Sequence, residues 1–535
     1  MTTSTNSPQT GTARGSHFSA SGIARNVLSN WLGLAVNIVV AFFISPFVVH
    51  RLGDTRYGIW ALVLQLTGYM GVVDVGLRSA LVRFISRFHA QRDNTALNNL
   101  VSTTLILYGG FALICFGVGF LLAAFALPFF HIPAGLLRDA RITIVLAAVI
   151  LGTDFLFATF QAALVGVSRW DLRNAVAIGV LILRTVFVIA FLLAGYGLVT
   201  LALIQLLTSL AGHVIEVILV HRVLSGLRVS IRTWDKTILR PIISHSTHSF
   251  LISIGSSINY EVDNIVIALF LPISQVTLYV IGSRLVQYLR LLINGSTSIV
   301  APLASELDAQ GREQETAHML VRGSKYALLI GYLGAAALCC LGPDFIRIWM
   351  GPSYGPVSGT VMRILAVGQF VALTEMMAAH LLYGLGKHRV NTWCTLGEAA
   401  VNLGASIALA RPFGIYGVAA GTTAAAVIFR GWIFPAAFLK IFRVRWWDYF
   451  KSSVVPSIPP TIGFVLGALL MKGLVPINGY GTLVLSAMAG LAVFVPSLWF
   501  GALDANERQR IRSGLIERRL LRFPMPPASD AKIPE

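Results

Sequence analysis

The sequence predicts an all-α integral membrane protein of about fourteen transmembrane helices, built as two parallel six-helix repeats followed by two C-terminal helices. Three observations predict it. The 535 residues are 56% hydrophobic and only 12% charged, and the mean hydropathy of +0.75 is far above that of a soluble domain this long. Apolar runs of roughly 20 residues, enough to cross a bilayer, recur along the whole chain. Landmarks of the first half return in the second at one spacing.

Residues 1–20 are rich in Ser, Thr and Gly, so a disordered cytoplasmic tail is expected over 1–24. The first apolar run, Asn26–Val49, exceeds a signal-peptide core and lacks a small-residue cleavage site, so it stays as an anchor. Further spans follow at Tyr57–Ala80, Leu100–Phe130, Ile142–Val167, Ala175–Gly195 and Leu198–Val220, closing an N-terminal bundle over 25–222. A basic cytoplasmic linker at 223–244 leads to a C-terminal bundle over 245–440, with spans at Ser246–Leu271, Val276–Ala301, Ala327–Met350, Val357–Tyr383, Val390–Ala410 and Gly414–Leu439. Helices 13 and 14, Val454–Leu474 and Gly481–Phe500, lie within 441–501, and a basic cytoplasmic tail occupies 502–535.

Net charge is +18. The cations sit in short connectors between apolar runs rather than on a polar domain surface, which excludes a nucleic-acid-binding protein. With both termini inside, most of the 41 basic residues fall on the cytoplasmic side, as the positive-inside rule requires. The largest groups are Arg78, Arg83, Arg87 and Arg92; Arg222, Arg228, Arg232, Lys236 and Arg240; and Arg508, Arg510, Arg512, Arg518, Arg519 and Arg522. They read as topology signals that also attract anionic membrane lipids. The last group has helix-spaced apolar residues and is expected on the inner membrane surface. Cys115, Cys339, Cys340 and Cys394 all lie in apolar runs at spacings that suit neither a metal site nor a disulfide framework.

The repeat rests on several matches. "ALVGVSRWDLRN" from Ala163 pairs with "LLYGLGKHRVNT" from Leu381, "GYGLVTLAL" from Gly195 with "GIYGVAAGT" from Gly414, Tyr57 with Tyr279, and Asn37 with Asn259. All share an offset of about 220 residues, as parallel repeats of a secondary transporter would.

In order along the chain, "LGDTRYGIWAL" from Leu52, "VVDVGLRSAL" from Val72, and "VDNIVIALFL" from Val262 followed by "LYVIGSRL" resemble the polysaccharide-export flippases. These form the lipid-linked oligosaccharide branch of the superfamily that also holds multidrug and toxin extruders. The resemblance spans residues 25–440. It implies a V-shaped pair of bundles around a central cavity lined by helices 1 and 7. It also implies translocation of undecaprenyl-pyrophosphate-linked oligosaccharide from the cytoplasmic to the periplasmic leaflet of the bacterial inner membrane, for cell-surface exopolysaccharide or lipopolysaccharide. Alternating access without a cofactor, alongside a polymerase and export machinery, belongs to the same implication.

Charges inside spans carry the candidate site, because each is costly in lipid and faces a partner or a wet cavity. Arg184, Arg284 and Arg290 are the candidate substrate-binding cations: a guanidinium holds phosphate oxygens through parallel hydrogen bonds and stays ionised. The alternative is a helix–helix lock, for instance Arg184 with Asp154 or Glu398. Glu261, Asp263, Asp154 and Glu398 are the candidate ion-coupling carboxylates, using a proton or sodium gradient. Glu261 and Asp263 fall opposite Val39 and Ala41 in the repeat, so these acids belong to one half only, which points to a task beyond packing. Asp74 and Glu216 lie nearer helix ends, where interfacial solvation explains them.

Two rival functions remain. A cation-coupled small-molecule extruder would share the fold, but its cavity would favour acids and aromatics. A membrane glycan polymerase, ligase or glycosyltransferase needs catalytic carboxylates at a water-exposed surface, often on a large outer loop, which is not seen. "GLGKH" at Gly384 echoes a P-loop without its spacing. The expectation is a carrier, not an enzyme, with no metal site.

Overall fold

The computed structural model describes residues 20–230 and 235–510. The expectations for the N-terminal tail before residue 20, for Arg232, and for the surface helix carrying Arg512, Arg518, Arg519 and Arg522 lie outside the described residues, as do the side chains of Asp74, Lys236 and Arg240.

Every regular element among the described residues is helical. In chain order these are α1 (Ala20–Leu52), α2 (Asp54–Gln91), α3 (Asn94–Leu121), α4 (Leu137–Gly166), α5 (Trp170–Leu193), α6 (Leu198–Val223), α7 (Lys236–Phe270), α8 (Ser274–Thr297) and α9 (Val300–Ala309). They continue as α10 (Glu313–Trp349), α11 (Tyr354–Ala372), α12 (Met376–Gly384), α13 (Arg389–Ile428), α14 (Phe434–Ile441), α15 (Trp446–Tyr449), α16 (Ile458–Leu474) and α17 (Tyr480–Ser497). Lipid offers the backbone no hydrogen-bond partners, so a spanning chain without barrel closure must satisfy every N–H and C=O within helices.

Among the described residues, 11 helical segments are long and apolar enough to cross a membrane, where the sequence predicts about fourteen spans. Two of those predicted spans fall in α2 and α7, helices of 38 and 35 residues. Two others share the segment Arg389–Ile441. That segment is bent within α13 at Gly414, whose φ of 62° lies in the left-handed region that glycine enters without a Cβ clash.

By its contacts the chain divides between Thr277 and Leu278. This falls later than the bundle start at 245, because α7 packs along α2 inside the first unit. At Gly58 of α2 a Cβ would collide with the Ile273 carbonyl, so glycine permits the approach. Within the first unit α3 and α2 pack on α4, α4 on α6, and α5 on both α1 and α6. Its core is built from Leu81, Ile85, Leu100, Tyr108, Phe155 and Leu164. α5 buries only Asn174 and Leu192, and its exposed Ile182, Val186 and Leu193 present an apolar face suited to lipid.

In the second unit α11 packs on α10 and α13, and the paired α16 and α17 pack on α10. Phe464, Ala468 and Phe494 meet Ala336 and Leu341 there. The attachment is also ionic: Lys472 Nζ lies 2.5 Å from Asp344 Oδ2. A second anchor follows α17, where Glu507 accepts from Lys325 Nζ and from the Tyr326 hydroxyl, both at 2.6 Å.

Candidate functional site: two clusters of charge inside the helices

In the first unit, α1, α4, α5 and α6 enclose a cavity of about 260 Å³ whose polar lining includes Asn37, Asp154, Gln161, Arg173, Arg184, Ser209, His213 and Glu216. An adjoining, more apolar cavity of about 210 Å³ shares Asn37 and Arg184 and adds Ile44, Trp60 and Leu201. Arg184 thus stands where a polar chamber meets an apolar one. Its Nε donates to Thr208 Oγ1 at 3.1 Å and its Nη2 to Ser209 Oγ at 3.0 Å. Both acceptors sit on α6, one turn before His213, so the α5–α6 contact fixes the guanidinium. No carboxylate among the described residues lies within ion-pair distance of it. The lock with Asp154 is therefore not made as an ion pair; neutral hydroxyls orient Arg184, and Asp154 acts on its charge only across the shared cavity.

Asp154 instead meets His213. The ring Nε2 lies 2.9 Å from Asp154 Oδ1 and Nδ1 lies 3.4 Å from Glu216 Oε2. Phe157 of α4 stacks on the imidazole at 4.9 Å and 11°, which holds its plane. The side chains of His213 and Glu216 are each 7% exposed, whereas that of Asp154 is 43% exposed and opens onto the cavity. Interfacial solvation does not describe Glu216: it is buried three residues after His213, inside the bundle.

Glu261 and Asp263 do not line this cavity. Two residues along a helix subtend about 200°, so they point apart. Asp263 and Asn259 are buried on one face, while Glu261 is half-buried. A Cβ at Gly68 of α2 would stand 3.6 Å from Glu261 Oε2. Around them Tyr69 donates to the Ser257 carbonyl at 3.2 Å, and Asn264 donates to Gln65 Oε1 at 2.9 Å. The acids of α7 thus form part of a polar seam against α2 within the first unit.

The second unit holds a different cluster. Arg430 donates through Nε to Glu398 Oε2 at 2.5 Å, through Nη1 to Glu375 Oε1 at 3.1 Å, and through Nη2 to Thr395 Oγ1 at 2.9 Å. All four side chains are buried or nearly so. Glu398 is therefore engaged in a lock, with Arg430 rather than Arg184 as its partner. Of the remaining candidate cations, Arg284 is exposed and Arg290 half-buried on α8. A basic pocket of about 500 Å³ lies at the end of α14, lined by Lys440, Arg443, Arg445 and Trp446.

Sequence reasoning missed His213. A histidine in "LLTSLAGHVIEVILV" reads as one polar residue in an apolar helix. The available signal was Glu216 at i+3, which shares its face; Asp154, 59 positions upstream, has no local signature.

A polar, charge-lined chamber inside membrane helices is a feature that fits a multi-pass transporter, since charged groups in lipid pair with one another or face a wet pathway. The family described as "Polysaccharide biosynthesis protein" matches residues 23–308, and the chain belongs to it. It is similar to "Uncharacterized membrane protein EpsK" of Bacillus subtilis, 23% identical over 74% of this chain and 78% of that one. It is also similar to "Putative O-antigen transporter" of Shigella flexneri, 21% identical over 74% of this chain and 93% of that one. The fold matches the lipid II flippase MurJ in its inward closed conformation, with a TM-score of 0.69, 14% identity, and coverage of 90% of this chain and 98% of that one. It also matches an inward-facing multidrug resistance MATE family transporter, with a TM-score of 0.59, 16% identity, and coverage of 79% and 99%.

Proposed function

We propose that this protein is a flippase that carries an undecaprenyl-pyrophosphate-linked oligosaccharide from the cytoplasmic to the periplasmic leaflet of the bacterial inner membrane by alternating access, coupled to an ion gradient. Membership of the polysaccharide biosynthesis family supports the pathway, and the likeness to a lipid II flippase supports the fold. The observation that carries the reading is the contrast between two intramembrane arginines. Arg430 is neutralised by two carboxylates, whereas Arg184 is oriented by two hydroxyls and keeps its charge for an anion. The polar chamber beside Arg184 suits a phosphate-bearing headgroup, and the apolar chamber suits the start of a lipid chain. The distribution of Lys and Arg supports both termini on the cytoplasmic side.

The test is a strain lacking the protein and complemented with Arg184→Gln or Arg184→Lys. The expected result is normal membrane abundance with lipid-linked repeat units accumulating on the inner leaflet, more severely for Gln. Export at the wild-type level in Arg184→Gln would overturn the reading. Structural likeness to a multidrug transporter favours a second reading, a cation-coupled extruder; drug efflux that survives loss of glycan export would favour it.

A further inference from the structure

We propose that Asp154, His213 and Glu216 form a proton-binding site, and that its occupancy controls how strongly Arg184 attracts an anion in the same cavity. The coupling half of this proposal rests on the flippase reading; the proton site itself rests on geometry. Each imidazole nitrogen faces a carboxylate oxygen, at 2.9 and 3.4 Å. A hydrogen bond in either place requires one proton between nitrogen and oxygen, and a neutral imidazole supplies only one N–H. Satisfying both contacts therefore takes one further proton, on the ring or on a carboxyl. The site has an inner wall and an outer mouth. His213 and Glu216 line the cavity but are largely buried, Phe157 covers the ring face, and Asp154 is the most exposed member. A hydronium ion in the cavity gives its proton to the Asp154–His213 pair and leaves as water, with no change of oxidation state.

The charged groups facing this cluster come from four helices. α4 contributes Asp154; α5 contributes Arg173 and Arg184; α6 contributes His213 and Glu216. From α2, Arg78 reaches the cavity wall by donating to Gln161 at 3.3 Å. Among the described residues α1 contributes the neutral Asn37, and α3, which packs on α4, contains no charged residue. Proton uptake adds one positive charge to this set. It also occupies Asp154 with the imidazolium, so that this carboxylate competes less for Arg184. Proton binding and anion binding at the site then favour one another, and by linkage the effect is reciprocal.

The experiment has two arms on the full-length protein in nanodiscs. In the first, nitrogen NMR of histidine-labelled protein, with His213→Asn identifying the signal, reports how many ring nitrogens carry protons. The expected result is a doubly protonated His213 that loses one proton as pH rises, with a smaller doubly protonated fraction at neutral pH in Asp154→Asn. A ring that stays in one neutral form throughout, or a fraction unaffected by Asp154→Asn, would overturn the proton site. In the second, binding of farnesyl pyrophosphate is measured across the same pH range. Affinity should be roughly 5- to 10-fold tighter below the His213 transition than above it, and the dependence should flatten in His213→Asn and in Asp154→Asn. An unchanged pH dependence in both variants would overturn the coupling. Absence of farnesyl pyrophosphate binding at every pH, with the NMR transition intact, would refute the flippase reading while supporting the proton site.

Discussion

Replacing Arg430 by Gln should unfold the second unit far more readily than replacing Arg184 by Gln unfolds the first. Arg430 is buried between Glu375 and Glu398, and Glu398 is held at 2.5 Å. Removing one member of a buried ion pair leaves uncompensated charge and costs about 3–5 kcal/mol. Arg184 is half-exposed and makes two hydrogen bonds, to Ser209 Oγ on the cavity wall and to Thr208 Oγ1, which also donates to the Ile204 carbonyl. Their loss costs about 1 kcal/mol each. The gap of about 2 kcal/mol corresponds to a roughly thirty-fold difference in the folded-to-unfolded ratio. Membrane abundance and thermal aggregation of the detergent-solubilised variants, followed by fluorescence-detected size exclusion, measure it. Arg430→Met combined with Glu375→Gln and Glu398→Gln should recover most of the loss, because the orphaned charges are gone. Wild-type stability in Arg430→Gln, or a less stable Arg184→Gln, would refute the division into a lock and a ligand site.

Other outcomes follow from single contacts. Burial pushes the Glu507 carboxyl up, but hydrogen bonds from Lys325, Tyr326 and the Asp504 backbone outweigh it and hold the group below its ordinary value of 4.5. A lowered value stabilises the docked segment above that pH and releases it as pH falls through the shifted value. Hydrogen exchange over 504–510 should therefore rise only on strong acidification, and Glu507→Gln should exchange fast at neutral pH without an acid step. At Gly119 an added Cβ would collide with Ala148 of α4. Gly119→Val should force α3 from α4, destabilise by about 1–3 kcal/mol, and lower abundance in a membrane immunoblot. Neutralising Lys440, Arg443 and Arg445 together should strip co-purifying anionic phospholipid, read by native mass spectrometry, without lowering thermal stability, because all three side chains are exposed at the pocket beside Trp446.

Much of the fold was legible because lipid imposes a local rule. A run of apolar residues long enough to span must be helical, whatever it packs against. The runs, the Gly414 break and the paired C-terminal helices could therefore be read residue by residue. Packing relations could not. That α7 lies along α2 depends on the fit at Gly58 and Ile273, a match between positions more than two hundred residues apart.

The site divided along the same line. Charge inside a span is visible in one dimension, so Arg184, Asp154 and Glu398 could be singled out from the chain alone. Their partners could not be, since an ion pair depends on which helix faces meet and at what height. Helix packing gave Glu398 to Arg430, gave Asp154 to His213, left Arg184 to two hydroxyls, and drew Glu216 from an expected interface into the interior. The sequence by itself determined that this is a many-helix membrane protein with charge inside its spans. The tertiary structure decided which of those charges meet an opposite charge and which are held by hydroxyls instead, because electrostatic energy follows distance in space and not distance along the chain.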